Sequence, residues 1–86
     1  PEVFARVSPN PLVDNGTITY RLDAAANISI SLVNEQGQQV KTLVEKNCAP
    51  GTYTEKWNGK DLTKGIYFIK VVKDGEVKQT IKVMKG

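Results

Sequence analysis

Turn signals recur about every eight to twelve residues along this chain, and the runs between them alternate apolar with polar side chains. That rhythm excludes long helices and points to short antiparallel strands in a sandwich or barrel. The cleanest period of two lies in Thr17-Ile18-Thr19-Tyr20-Arg21-Leu22 and in Asn27 to Val33. Ile18, Tyr20 and Leu22 share one face of the first run; Ile28, Ile30 and Leu32 share one face of the second.

The remaining runs are read the same way. Val3, Ala5 and Val7 predict a first strand, stopped by Ser8-Pro9-Asn10-Pro11, whose two prolines fix φ and remove amide donors. Asp14-Asn15-Gly16 reads as a turn, and Ala24-Ala25-Ala26 is the one stretch suited to a helical turn. Asn34-Glu35-Gln36-Gly37 reads as a tight turn in which Gly37 supplies positive φ. Val40 and Leu43 lie three apart, which predicts either a bulge at Lys41-Thr42 or a brief coil. Glu45 to Pro50 reads as a polar loop holding Cys48. Gly51 opens a strand with Tyr53, Glu55 and Trp57 on one face, where Glu55 among aromatics marks an edge. Asn58-Gly59 ends that strand, and Gly65-Ile66-Tyr67-Phe68 begins another. Its Tyr67, Ile69 and Val71 point one way and Ile66, Phe68 and Val72 the other, so it is central or covered by a neighbour. Asp74-Gly75 favours a type I′ hairpin. Val77, Ile81 and Val83 complete the last strand opposite Lys78, Thr80 and Lys82. The expected fold is all-β: a seven-stranded antiparallel β-sandwich with an immunoglobulin-like look, lacking the antibody-type cysteine pair, with Trp57 packed between the sheets.

Eighty-six residues predict a single domain spanning 1–86. Pro1 stands where a start methionine would, which predicts a piece of a longer polypeptide. Histidine is absent and Cys48 is alone, which removes the commonest general base and any multi-cysteine metal site. Cys48 reads as an incidental small residue. Asp61, between Lys60 and Lys64, reads as a turn-stabilising carboxylate rather than a calcium ligand, because the spaced acids of such a site are missing. Glu45 and Glu55 lie on different elements with nothing to make them converge as a glycosidase pair. No catalytic residue, cofactor or metal ligand is implied. Residues 60–86 carry seven lysines against three acids, whereas residues 1–59 carry five basic and six acidic groups. The lysines alternate with apolar residues, as on solvent faces and strand edges. Phe68-Ile69-Lys70 is too slight a basic-aromatic cluster for nucleic acid. No stretch is apolar enough to insert directly into a membrane.

Taken in order, several of these fragments resemble the C-terminal sorting domain of proteins exported by the type IX secretion system of Bacteroidetes-type bacteria. They are Pro9-Asn10-Pro11, Thr17 to Leu22, Leu32 to Val40 with Gly37, Leu43-Val44, Gly51-Thr52-Tyr53, Trp57-Asn58-Gly59, Gly65-Ile66-Tyr67-Phe68 and the lysine-bearing last strand. The resemblance covers about Val7 to Lys85. It departs at Val33-Asn34, where the family usually carries an aromatic and an acid, and at Cys48. The resemblance implies a non-catalytic C-terminal domain of a larger secreted protein. Its implied partners are a type IX translocon, an outer-membrane shuttle, a sortase-like peptidase and an N-terminal cargo domain in the same chain. Its implied route runs through the periplasm to the cell surface or the medium. The surface to be read is expected at Gly65, Ile66, Tyr67 and Phe68 and at Lys82, Val83, Met84 and Lys85. For Tyr67 and Val83 an ordinary place in the strands is the stronger expectation. The strand pattern is also similar to the immunoglobulin-like domain of flagellar hook-capping proteins, which makes a purely structural module the main rival; a carbohydrate-binding accessory module of an extracellular protein is the other alternative.

Overall fold

The computed structural model describes residues 4–9 and 14–86. Seven strands follow one another: β1 (Phe4–Ser8), β2 (Asn15–Leu22), β3 (Ala26–Asn34), β4 (Gln39–Cys48), β5 (Gly51–Asn58), β6 (Gly65–Lys73) and β7 (Glu76–Lys85). They form two antiparallel sheets, one ordered β1-β2-β5 and the other β4-β3-β6-β7. The alternation in the sequence builds the core directly. Ile18, Tyr20 and Leu22 from the first sheet meet Ile28, Ile30, Leu32, Ile69, Val71 and Val83 from the second. A fully buried aliphatic side chain contributes about 1.5–3 kcal/mol relative to an exposed one, so this row is what holds the sheets face to face.

Trp57 lies in that core, as its strand position predicts, but its indole nitrogen has no hydrogen-bond partner among the described residues. The β6 strand, apolar on both faces, is central in its sheet. The strand β5, which carries Glu55, is at an edge.

Several local expectations are corrected. Asn15 and Gly16 do not form a turn; they begin β2, and Gly16 pairs with Trp57 across the sheet. Asp23-Ala24 is a bend and Ala26 already belongs to β3, so no helical turn forms there. The segment from Glu45 is no loop: β4 runs on to Cys48, whose side chain is buried against the core, leaving Ala49-Pro50 as the connection. The irregularity in β4 is a pair of bulges, because the register with β3 skips Leu43 and then Val40. Each bulge adds one unpaired residue, which is how two apolar side chains three apart fit one strand. In β7 the register skips Lys78, so Val77 faces outward beside Val72 instead of joining Ile81 and Val83. Asn10, Pro11 and Val3 lie outside the described residues, and Pro9 follows the end of β1 in a bend.

The turns behave as their residues require. Gly37 has φ 83°, and Asp74 and Gly75 have φ 51° and 83°, the paired positive angles of a type I′ turn. Asn34 organises the β3–β4 turn, its side-chain oxygen accepting from Gln36 N at 3.0 Å and Gln38 N at 2.9 Å. A carboxamide oxygen supplies there the same acceptor that an acid would, so the departure from the family pattern at Asn34 leaves the turn intact.

Candidate functional site

The two segments singled out in the sequence, Gly65–Phe68 and Lys82–Lys85, are direct neighbours. Antiparallel pairing of β6 with β7 sets Gly65 opposite Lys85, Ile66 opposite Met84, Tyr67 opposite Val83 and Phe68 opposite Lys82. Eight residues from two distant stretches therefore make one ladder of four rungs.

Because successive side chains alternate across a sheet, the ladder splits in two. Tyr67 and Val83 point into the core and are buried, in keeping with the ordinary role expected of them. The Tyr67 hydroxyl donates back to the carbonyl of Thr63 at 2.8 Å, tying the start of β6 to the corner before it. Ile66, Phe68, Lys82 and Met84 stand on the outer face of the sheet, away from the core. Phe68 also covers Val33 of β3, which is its cross-strand neighbour and is buried despite facing outward. Gly65 and Lys85 close the ladder at the sandwich end, where Gly65 has φ 150°.

Beside that end lies an open cleft of about 350 Å³ between the β3–β4 turn and the β5–β6 corner, lined by Asn34, Val40, Leu62, Ile66 and Tyr67 among others. The corner is built from short bonds. Lys60 N–H donates to the Asn58 side-chain oxygen at 2.8 Å, and Gly59 N–H donates to Asp14 O at 2.7 Å. Lys41 Nζ reaches across from β4 to Asn58 O at 2.7 Å and to Asp61 at 3.2 Å. The Lys41 ammonium, first among the causes, holds the Asp61 carboxyl below its usual range. Asp61 thus stabilises the corner by an ion pair with another strand.

The other motif residues take places in the strands and turns. Gly51 opens β5 at φ 150°, and Tyr53 stacks on Tyr20 with ring centroids 5.4 Å apart. Glu55 pairs with Lys46 at 2.9 Å, whose ammonium also lies over the Tyr53 ring. Glu45 sits on β4 opposite Ser29, whereas Glu55 bonds Lys46 at the seam between the sheets, so the two carboxylates play separate parts. Among the described residues no cluster of acids or cysteine has the makings of a metal site, and no helix is long and apolar enough to cross a membrane.

Two residues have contacts that the local sequence does not signal: Gly16 sits in what reads as a turn motif, and Gln79 reads as one more polar residue on a strand. The amide of Gln79 exchanges two hydrogen bonds with the backbone of Ala5, at 3.0 and 3.1 Å. No periodicity in the sequence announces a contact of that kind.

No curated protein matches this chain, and no solved structure matches it. A family model does, over residues 6–85, from β1 to the last residue of β7. The chain belongs to the family of secretion system C-terminal sorting domains, the sorting signal of type IX secretion.

Proposed function

We propose that this domain is a non-catalytic address, read as a folded surface by a type IX translocon and its outer-membrane shuttle. A sortase-like peptidase then cuts upstream of the first strand and leaves the N-terminal cargo at the cell surface or in the medium. Passage of the folded domain through the periplasm precedes that cut. The observation that carries the reading is the family match across both sheets, joined to the pairing of Gly65–Phe68 with Lys82–Lys85 on one rigid ladder. A strand pair presents side chains at fixed spacing without the ordering cost of a flexible tail, which suits recognition of a folded surface.

We read the architecture as immunoglobulin-like. First, second and fifth strands share one sheet, while third, sixth and seventh share the other with the fourth added beside the third. The Tyr67 hydroxyl bonded to Thr63 O at the start of the sixth strand supports this reading, since a tyrosine bonded back to the preceding corner is a feature of that class. The same features suit a purely structural module. They speak against a sugar platform, because Tyr20, Trp57 and Tyr67 are in the core and Tyr53 packs against it.

The test is a fusion of residues 1–86 behind an inert reporter, expressed in a bacterium with this export system. The expected result is reporter at the surface or in the medium, shortened by the mass of the domain. A reporter held in the periplasm with the domain folded and attached would overturn the reading in favour of the structural module.

A further inference from the structure

The outer face of β6 and β7 is chemically one-sided. Lys70 and Lys82 stand on it, whereas the one acid of the two strands, Glu76, lies at the turn end, where it pairs with Lys78 at 2.8 Å. On the outer face, Ile66 and Met84 form one rung, Phe68 and Lys82 the next, and Lys70 and Thr80 the third. Met84 is 50% exposed and Val77, at the far end of the same face, 53%, so apolar surface lies open on an edge strand. Edge strands of soluble proteins usually carry charge there instead.

We propose that this face docks an acidic protein segment, with Ile66, Phe68 and Met84 as its apolar floor and Lys70 and Lys82 as its cationic rim. The inference rests on the sorting reading only in placing that segment on a component of the export route. Charge complementarity selects the occupant. A second copy laid face to face brings a second pair of lysines to the interface, and the outer rungs Ile66–Met84, Phe68–Lys82 and Lys70–Thr80 hold no acid to meet them. A lipid surface favours fully exposed apolar anchors, and Ile66 and Phe68 are half-buried. Acidic side chains alternating with apolar ones match both the lysines and the floor, whose own period is two.

The test titrates the isotope-labelled 86-residue chain with a twelve-residue peptide of alternating glutamate and leucine, and with glutamine and lysine versions of it. The glutamate peptide should shift the amides of Ile66, Phe68, Lys82 and Met84, and bind about tenfold more weakly to Lys70→Glu/Lys82→Glu, since each exposed pair counts for little alone. An Arg6→Glu/Lys56→Glu variant reverses two charges on the other sheet and should bind as the parent does. Equal binding of the glutamine peptide, shifts centred elsewhere, preference for phosphatidylglycerol vesicles, or a dimer in sedimentation would each overturn the proposal. If the glutamate variant fails to fold, Lys70→Gln/Lys82→Gln gives the same comparison with smaller loss and a flattened salt dependence. In exporting cells the two readings separate. A parent fusion that is exported, with the folded glutamate variant exported equally, removes the docking face and leaves the sorting role. A parent that is not exported but binds the glutamate peptide at this face removes the sorting role and leaves the face.

Discussion

The indole of Trp57 rests against the bare α-carbon of Gly16, its cross-strand partner: a Cβ at position 16 would stand 2.7 Å from the indole ring. That distance is too short for any real pair, and the obstacle is a rigid ring at the core edge. Gly16→Ala is therefore expected to cost about 1–3 kcal/mol through overpacking. Trp57→Ala should cost about 3–5 kcal/mol through the cavity it leaves. Urea melts of both variants and of the double variant check the relationship. In the Trp57→Ala background the Gly16→Ala change should cost little, since the ring it strikes is gone. An additive double variant would mean that the two residues act independently.

Gln79 closes the opposite seam. Its side-chain nitrogen donates to Ala5 O at 3.0 Å while Ala5 N–H donates to its oxygen at 3.1 Å, a side chain standing in for a neighbouring strand. Gln79→Leu leaves both backbone groups of Ala5 without these partners, and an orphaned buried polar group costs about 1–3 kcal/mol. The expected signature is lower stability together with hydrogen exchange at Ala5 accelerated well beyond that at Ile30 or Ile69, which follow global unfolding. Uniform acceleration across the domain would instead indicate a global effect with no special role for the edge.

Tyr20 predicts the alkaline limit of the fold. Its hydroxyl is buried with no hydrogen-bond partner among the described residues. Burial first, and then the neighbouring Cys48 thiol, push its pKa well above the ordinary phenol value. A raised acid keeps its proton in the folded state after the unfolded chain has lost it. Stability is thus unaffected below the unfolded value of about 10 and falls above it, by up to about 1.4 kcal/mol per pH unit. Tyr20→Phe should flatten that slope and cost little at neutral pH, because the hydroxyl it removes has no hydrogen-bond partner within bonding geometry among the described residues. Melting temperatures between pH 8 and 11.5 decide the matter, and parallel slopes for the two proteins would refute it.

The inward faces were readable because burial imposes a strict period of two on Ile18–Leu22, Ile28–Leu32 and Tyr67–Val71. The irregular strands were harder. Bulges at Val40, Leu43 and Lys78 break that period, which hides from the sequence both the outward direction of Val77 and the run of β4 past its irregular middle. Cys48 and Gly16 read as turn residues for one reason: their local neighbours, Ala49-Pro50 and Asp14-Asn15, are strong turn formers that the ladder overrides. The family pattern singles out Gly65–Phe68 and Lys82–Lys85 as candidates, but their assembly into one ladder depends on long-range pairing. No local rule sets Ile66 opposite Met84.

The last rungs of that ladder allow stability and recognition to be separated. Removing Met84, Lys85 and Gly86 takes away the partners of Ile66 and Gly65 while leaving Val83, fully buried, in the core. Terminal residues make few core contacts, so the expected loss is within about 1–2 kcal/mol and the two sheets stay together. Export of a reporter fused to the shortened domain should nevertheless fail, because the outer face loses its exposed thioether and the rung beside the cleft. Circular dichroism and a urea melt establish folding first; periplasmic retention of a folded, shortened domain is the expected outcome. Normal export would place the recognised surface away from the final rungs, on the body of the β6 strand or on the end loops. Should the shortened domain unfold, Met84→Ser in the full-length chain leaves the backbone ladder in place and asks the same question of the side chain.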